Sequence, residues 1–279
     1  MATSDERKFL GWDGTEQLVA TVKNLITESN TSFKNGDGSN SMVYNVGDAN
    51  GDYSIAGGTN DKEIVKDIIG NNLAAAFVSV DVPTANGDMS VSFGAGTKTH
   101  AAGAIALGVN SQSGCKGLYW TAIDFNTKKI TLSTTQGSQT KPSSIPWSKR
   151  TTVLGAVISK GDIISITNDD RYINCAEILD IDTSAGTITV DSLPFTVIAT
   201  PDTTYPNDYA VFVVDKPDKG DVEFGWGAYA HGYDNVAAGT LSFTSGYGNR
   251  AASDFSAVFG RDNVGGYASL VGGSNNKVL

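Results

Sequence analysis

A five-residue motif recurs along the chain, and this repeat constrains the possible folds more than any other feature. Each copy begins with Ser or Ala and ends in glycine. Within each run the glycines lie 14 residues apart, with a last interval of 12. A fixed period of this kind is typical of repeat architectures, in which each unit stacks on its neighbours. The six copies are Ser90–Gly94, Ala104–Gly108, Ala228–Gly232, Ser242–Gly246, Ser256–Gly260 and Ala268–Gly272.

Each 14-residue unit predicts two short strands joined by two corners. Small residues recur between the motifs, as in His100–Gly103 and Val236–Gly239. Glycine and asparagine tolerate the left-handed backbone that tight corners need. The chain has 32 glycines and only 18% charged residues, which also favours β-structure with many turns. We therefore predict an all-β fold built on a 14-residue-repeat β-solenoid, or β-roll. In four copies an asparagine follows the glycine by three residues, at Asn235, Asn249, Asn263 and Asn275.

Alternation along the first strand of each unit assigns its side chains to two faces. One face carries small residues, such as Ser90 and Ser92, and a thin coil has room for them inside. The other face carries mostly large residues and points outward as an apolar stripe several coils long. A stripe of this size predicts a homo-oligomer that buries it. The residues assigned to this interface are Val91, Phe93, Ile105, Leu107, Tyr229, Phe243 and Phe259.

The repeat is interrupted by about 100 residues with a different pattern. Between Gly117 and Gly220 the period vanishes, and five or six strand signals replace it. This length suffices for a small all-β barrel or sandwich inserted between two coils. The insert has two equally supported roles, a displayed binding domain and a spacer that locks the oligomer. The predicted divisions are 1–72 for an N-terminal region, 73–117 for the first coils, 118–221 for the insert and 222–279 for the last coils.

Helical patterns are confined to the N-terminal region. Asp13 and Glu16 form a capping-box arrangement ahead of an apolar stripe, and the predicted helix spans about 13–29. Such a helix is marginal alone, so it is expected to pack against copies of itself. Its stripe adds Leu18, Val22 and Leu25 to the predicted interface. A second short helix is predicted over 61–69.

The A-I-A-L-G and N-x-x-A-A-G patterns resemble the head repeats of trimeric adhesins of the YadA type, and similar repeats occur in bacteriophage fibres. The resemblance covers 90–117 and 222–279. It implies thin left-handed β-rolls assembled as a homotrimer. The segment from Phe9 to Ile26 is similar to the attachment ends of fibre proteins in phages of gut bacteria, which implies contact with other virion proteins.

Charge and targeting signals narrow the function. The net charge is −10, and no basic run is present, which argues against nucleic-acid binding. Residues 1–9 lack the apolar core of a signal peptide, and no stretch of 18 apolar residues predicts membrane insertion. The resembled adhesins carry a signal peptide and a C-terminal membrane anchor. Their absence favours a phage fibre that assembles in the host cytoplasm and ends on the virion surface.

Two groups of residues are candidate ligand sites. Asp48, Asn50 and Asp52 follow the odd-position spacing of a calcium loop, although Tyr53 and Thr59 stand where an EF-hand needs glycine and glutamate. No other cofactor is predicted. Flat aromatic rings suit sugars, whose C–H groups stack on them. The aromatic candidates are Tyr119, Trp120 and Trp147, with sealing of the junction between insert and repeats as the alternative.

No catalytic motif is present, and we predict that the chain is not an enzyme. His100 and His231 lie inside repeat units, where a packing role is favoured. The pairs Asp169–Asp170 and Asp180/Asp182 are typical of turns, although glycoside hydrolysis also uses two carboxyls. The sequence therefore predicts a trimeric phage fibre protein that displays a β domain toward a cell-surface glycan or protein. The alternatives are a fragment of a bacterial trimeric surface adhesin and a glycan-depolymerising tailspike.

Overall fold

The computed structural model of the chain describes residues 33–61, 64–65, 80–132, 158–166, 174–193, 210–218 and 222–279. These residues are nearly all β, which confirms the predicted all-β class. Ile64 and Val65 are helical, and the Val65 N–H bonds the Asp61 carbonyl at 3.1 Å. They lie within the helix predicted over 61–69. The predicted helix over 13–29, with Leu18, Val22 and Leu25, lies outside the described residues.

Most strands belong to two sheets whose strands alternate along the chain. In each sheet, successive strands pair in parallel, apart from the antiparallel edge strand β1. The first sheet contains, in spatial order, β1 (Phe33–Asn35), β2 (Met42–Asn45), β4 (Ile55–Thr59), β6 (Val91–Ala95), β8 (Ile105–Val109), β17 (Tyr229–Tyr233), β19 (Phe243–Tyr247), β21 (Ala257–Arg261) and β23 (Leu270–Val271). The second contains β3 (Asp48–Ala49), β5 (Thr84–Ala85), β7 (Lys98–Thr99), β9 (Gln112–Ser113), β18 (Val236–Ala237), β20 (Arg250–Ala251), β22 (Val264–Gly265) and β24 (Lys277–Val278). We call these two sheets the stack, and one strand of each with its two corners a coil.

The stack continues without a shift across the insert. Strand β8 pairs directly with β17, so that Ile105 lies opposite Tyr229 and Gly108 opposite Gly232. Strand β9 pairs with β18 in the same way. The insert therefore leaves the stack after β9 and rejoins it at the start of β17. It takes the place of the corner that would connect these two strands.

The stack begins earlier than the predicted boundary at residue 73. Strands β2 and β4 are the first-sheet strands of two further coils, and β4 pairs with β6 in register. The motif Ser54–Gly58 has the predicted form but stands apart from Gly94, because residues 60–83 lie between β4 and β5. In the coil before it, Asn45 takes the place of glycine, with a φ of +60°.

The last coil is shifted by one residue from its predicted position. Val258 pairs with Val271, and Gly260 packs against Gly273 rather than Gly272. The Ser269 hydroxyl donates to the Gly266 carbonyl, three residues earlier, at 2.8 Å. The serines that begin three other coils, Ser54, Ser242 and Ser256, make the equivalent bond. The motif is therefore Ser269–Gly273, with an interval of 13 residues. Two consecutive glycines made the period ambiguous in the sequence.

The interior of the stack is lined by small side chains, as the alternation predicts. Ala104, Ala106, Ser90 and Ser92 are fully buried, and the large residues that alternate with them point outward. Several buried hydroxyls bond nearby backbone groups. For example, Ser92 bonds the Thr97 carbonyl at 2.9 Å. The largest apolar side chains among the inward residues of the first sheet are valines, at Val43, Val258 and Val271.

Glycines allow successive coils to approach closely. A Cβ on Gly94 would lie 1.8 Å from the carbonyl oxygen of Gly108, and its φ of +138° is one that only glycine adopts easily. No side chain fits there unless the backbones separate. The same contact is repeated at Gly58, Gly108, Gly232, Gly246 and Gly260.

A buried asparagine ladder connects the last coils. The Asn249 amide donates to Asn235 Oδ1 and to the Gly260 carbonyl, and the Asn263 N–H donates to Asn249 Oδ1 at 3.2 Å. Asn276, not the predicted Asn275, completes the ladder through its N–H bond to Asn263 Oδ1 at 2.9 Å. Each amide satisfies backbone groups that the corner would otherwise leave buried without partners.

The insert forms a third, seven-stranded sheet. Its strands are β10 (Cys115–Asp124), β11 (Lys129–Leu132), β12 (Ile163–Ile166), β13 (Asn174–Asp182), β14 (Thr187–Val190), β15 (Ala210–Val213) and β16 (Val222–Phe224). The spatial order is β11-β14-β13-β12-β15-β10-β16, and β10 also pairs with β11. Strands β10 to β15 therefore pair in a closed order, and β16 pairs with β10 outside it. The buried core of the insert includes Trp120, Ile130, Ile164 and Ile188.

We predict that Gly94→Ala destabilises the stack strongly. The added Cβ collides with the Gly108 carbonyl and forces a disfavoured φ, so the free energy of unfolding should fall by about 3 kcal/mol or more. Gly272→Ala is the matched control, because no atom lies within 4 Å of its Cβ position. Urea unfolding measures both variants. Equal losses in the two would contradict the close approach of the coils.

Candidate functional site

The outer face of the first sheet carries an uncharged column along the stack. Strand pairing places one outward residue of each coil above the next. Val91, Ile105, Tyr229 and Phe243 are partly exposed, as expected for a face without a partner in this chain. We call this set the outer column: Met42, Ile55, Val91, Ile105, Tyr229, Phe243, Ala257 and Leu270.

Aromatic rings reinforce this face. Tyr229 and Phe243 stack with ring centroids 5.2 Å apart and planes 3° from parallel. Phe259, in a second outward row, lies 5.2 Å from Phe243 and is 40% exposed. Phe93 and Leu107 of that row are also partly exposed. All predicted interface residues in the described part of the chain therefore lie on one outer face.

The outer face of the second sheet differs. In the first four coils its outward residues are polar, as at Asp48 and Lys98. In the later coils the insert covers it. Here Val236 and Val264 pack with Ile163, Phe212 and Val214 of the insert.

Two ion pairs support this junction. Arg250 Nε lies 3.4 Å from Asp215 Oδ1, and Lys277 Nζ lies 2.6 Å from Glu177 Oε2. The insert is therefore packed against the second sheet and leaves the first sheet uncovered. The extension of the outer column to Met42 and Ile55 was missed in the sequence, although Ser41 and Ser54 begin those coils as serines begin others.

Both cysteines are buried and free. Burial raises the pKa of Cys115, whose thiol donates to the Ala238 carbonyl, and raises the pKa of Cys175 to about 11. Thiols are nucleophilic only as thiolates. These two therefore serve packing at the junction.

The aromatic candidates for glycan binding need one correction. Trp120 is fully buried in the core of the insert, so its ring contacts protein on both sides and offers no face to a sugar. Tyr119 lies on β10, but its side chain is outside the described residues, as is Trp147. Glycan binding at these two positions stays a prediction.

The three calcium candidates lie in one coil of the stack. The Asn50 amide donates to Asn86 Oδ1 at 2.8 Å, and Asp52 Oδ1 accepts the Ser39 N–H at 2.8 Å. Asp48 lies on β3 and is exposed. Among the described residues, no group of three His, Cys, Asp or Glu side chains is placed to hold a metal ion. Calcium binding stays a prediction.

The candidate carboxylates Asp180 and Asp182 are exposed at the end of β13. Asp180 pairs with Lys160 at 2.7 Å, and this hydrogen bond lowers the pKa of Asp180. The Ser184 hydroxyl lowers the pKa of Asp182 in the same way. A glycosidase acid needs a raised pKa instead. His231 is exposed on the first sheet, and Asp169 and Asp170 lie outside the described residues.

His100 lies where the insert leaves the stack. It is 2% exposed, and its Nε2 lies 3.0 Å from Gln112 Oε1, while Nδ1 has no hydrogen-bond partner. Burial lowers the pKa of His100 to about 4, against the opposing effect of the hydrogen bond that its Nε2 donates to Gln112 Oε1. Lys116 and Lys98 lower the pKa further, and Asp218 raises it. The ring is therefore neutral and packed, as predicted.

Comparison with known proteins identifies no relative: no family model, curated protein or solved structure matches this chain.

We predict that His100 makes stability depend on pH. Its folded pKa of about 4 lies below the ordinary value of 6.5, so the unfolded chain binds the proton first. Stability from this residue is therefore present above pH 6.5 and is lost as the pH falls toward 4, by about 3 kcal/mol in total. Urea unfolding of the wild type and His100→Gln between pH 7 and 4 measures the difference. Parallel pH profiles would contradict this assignment.

Proposed function

We propose that this chain is a trimeric fibre protein of a bacteriophage virion that displays a β domain toward a cell-surface glycan or protein. In this proposal the stack is a β-solenoid shaft, and the insert is a small β-barrel mounted on its side. The observation that carries the proposal is the outer column, which is uncharged in every described coil. A rigid rod with one uncovered apolar face needs other chains to cover it.

The mounting of the insert supports a display role. The insert packs on the second sheet through a shared apolar core and two ion pairs. The face it covers is the one opposite the outer column. Three copies could therefore join through their first sheets while their inserts remain at the periphery.

Such a trimer would act by multivalency. Three weak sites on one rigid shaft raise the effective concentration of the second and third binding events, and avidity can exceed single-site affinity by about 10²–10⁴. No catalytic step is required in this proposal.

The remaining parts of the proposal concern assembly. The predicted attachment helix over 13–29 would bind other virion proteins, and the chain would assemble in the host cytoplasm. No helix in the described residues is long and apolar enough to cross a membrane. The alternative of a bacterial surface adhesin predicts a signal peptide in the same reading frame upstream of this chain, whereas a phage fibre predicts neighbouring virion genes.

We predict that Phe243→Asp breaks the trimer. The new carboxylate would be buried between chains beside Tyr229, a cost of several kcal/mol for an unpaired charge. Sedimentation velocity should show the variant as a folded monomer at concentrations where the wild type is trimeric. Thr84→Asp is the matched control on the outer face of the second sheet and should leave the trimer intact. A trimeric Phe243→Asp variant would refute burial of the outer column.

We predict that glycan binding depends on the trimer. On a glycan array, the wild type should bind at least one surface glycan, and the Phe243→Asp variant should lose about 100-fold or more in apparent affinity. Equal binding by trimer and monomer would contradict the multivalent mechanism. Release of reducing ends from a bound polysaccharide would favour the tailspike instead.

A further inference from the structure

One corner of the coil contains large apolar residues with left-handed backbone. This corner precedes each first-sheet strand, and its residue has a φ between +52° and +57° at Tyr53, Met89, Leu241 and Phe255. Bulky side chains rarely adopt this conformation, since the Cβ crowds the neighbouring carbonyl. We call these four residues the corner column.

The opposite corner shows that this choice of residue is not imposed by the backbone. There the equivalent residues also have positive φ values, but they are Asn110, Asp234, Asp262 and Asn275, with glycines in other coils. Asn, Asp and Gly are the residues that tolerate this backbone. The corner column therefore keeps unfavourable residues where favourable ones would serve the fold.

These side chains gain little from burial within the chain. Tyr53, Met89, Leu241 and Phe255 are 54–65% exposed. Their backbone N–H groups bond carbonyls of the preceding coil, for example Leu241 to Trp226 at 2.9 Å. The backbone thus holds each corner in place while the apolar side chain points to solvent. Strain retained together with exposed apolar surface points to a contact outside the chain.

We propose that the corner column is the docking surface for the outer column of a second copy of this chain. This inference rests on the trimer proposed above. A closed threefold assembly uses heterologous contacts, in which one patch of each chain meets a different patch of the next. The outer column and the corner column are two such patches, and they point in different directions from the same coil.

Matching repeats and charge favour a second copy as the occupant. The outer column has one residue in each of eight coils and the corner column one in each of four of them, so both follow the coil spacing of the stack, which is identical in every chain. Neither column contains a charged residue, whereas the chain as a whole has a net charge of −10. The column residues themselves therefore bring no carboxylate into the contact, and the nearest ones along the chain are Asp52, Asp88 and Asp254, each one residue before a corner residue.

Residue sizes at the same level of the stack are complementary in four coils. Where the corner residue is Gly227, the outer residue is Tyr229. Where the corner residue is Phe255, the outer residue is Ala257. The same relation holds for Gly103 with Ile105 and for Ala268 with Leu270. Three coils instead pair two large residues: Tyr53 with Ile55, Met89 with Val91 and Leu241 with Phe243. Chains related by rotation about the stack axis would bring such same-level residues together.

Photocrosslinking tests the contact directly. Benzoylphenylalanine at position 241 replaces one exposed apolar side chain by another in the full chain. Illumination should join it to residues 229–259 of the first sheet of another chain, as identified by mass spectrometry. Crosslinks between two copies of position 241, or to the second sheet, would overturn the proposal.

A pair of substitutions gives an independent readout. Leu241→Asn with Phe255→Asn suits the left-handed backbone better, so the melting temperature of the isolated chain should be unchanged or higher. The dissociation constant of the trimer should rise at least 100-fold.

The control variant combines Asp262→Asn with Asn275→Gly at the opposite corner. It should leave the dissociation constant of the trimer unchanged. If Phe243→Asp dissociates the trimer but the corner variant does not, this inference is refuted while the proposed trimer stands. A monomeric wild type would refute the proposed trimer itself.

Discussion

The close approach of successive coils determines the rest of this structure. At Gly94 the backbone of one coil lies so near the Gly108 carbonyl of the next that a Cβ would be 1.8 Å from its oxygen. The interior of so thin a coil is lined mainly by Ala, Ser, Thr and Val. Large apolar residues therefore point outward, and those of the outer column stay partly exposed in this chain. The proposal that other chains cover this column follows from the thinness of the coil.

The insert is accommodated without disturbing this packing. Because Ile105 pairs directly with Tyr229, the hydrogen-bonded ladder passes the insertion point as if the two runs of repeats were adjacent in sequence. The insert then uses the one outer face that the apolar column does not occupy. In the proposed trimer, assembly and display would therefore use opposite faces of the same chain.

Much of this arrangement could be predicted from the sequence, and the failures have physical causes. The period and the alternation of small and large residues identified the strands and the buried face. The coil at Ser54 was missed because residues 60–83 separate it from the next coil. The coil before it was missed because Asn45 stands where the motif has glycine. Trp120 was named as a glycan-binding candidate for its flat ring, because the sequence does not show that its side of β10 faces the core of the insert. The left-handed backbone at Leu241 could not be predicted from residue preferences, because leucine disfavours that conformation.

The central claim is that the outer column is buried between three chains. The solution mass of the purified wild type, by light scattering coupled to size exclusion, tests it most directly. Three chains of 29.1 kDa predict a mass of about 87 kDa. A stable species of 29.1 kDa would mean that the apolar face remains in water or is covered within one chain, and the fibre account would be contradicted.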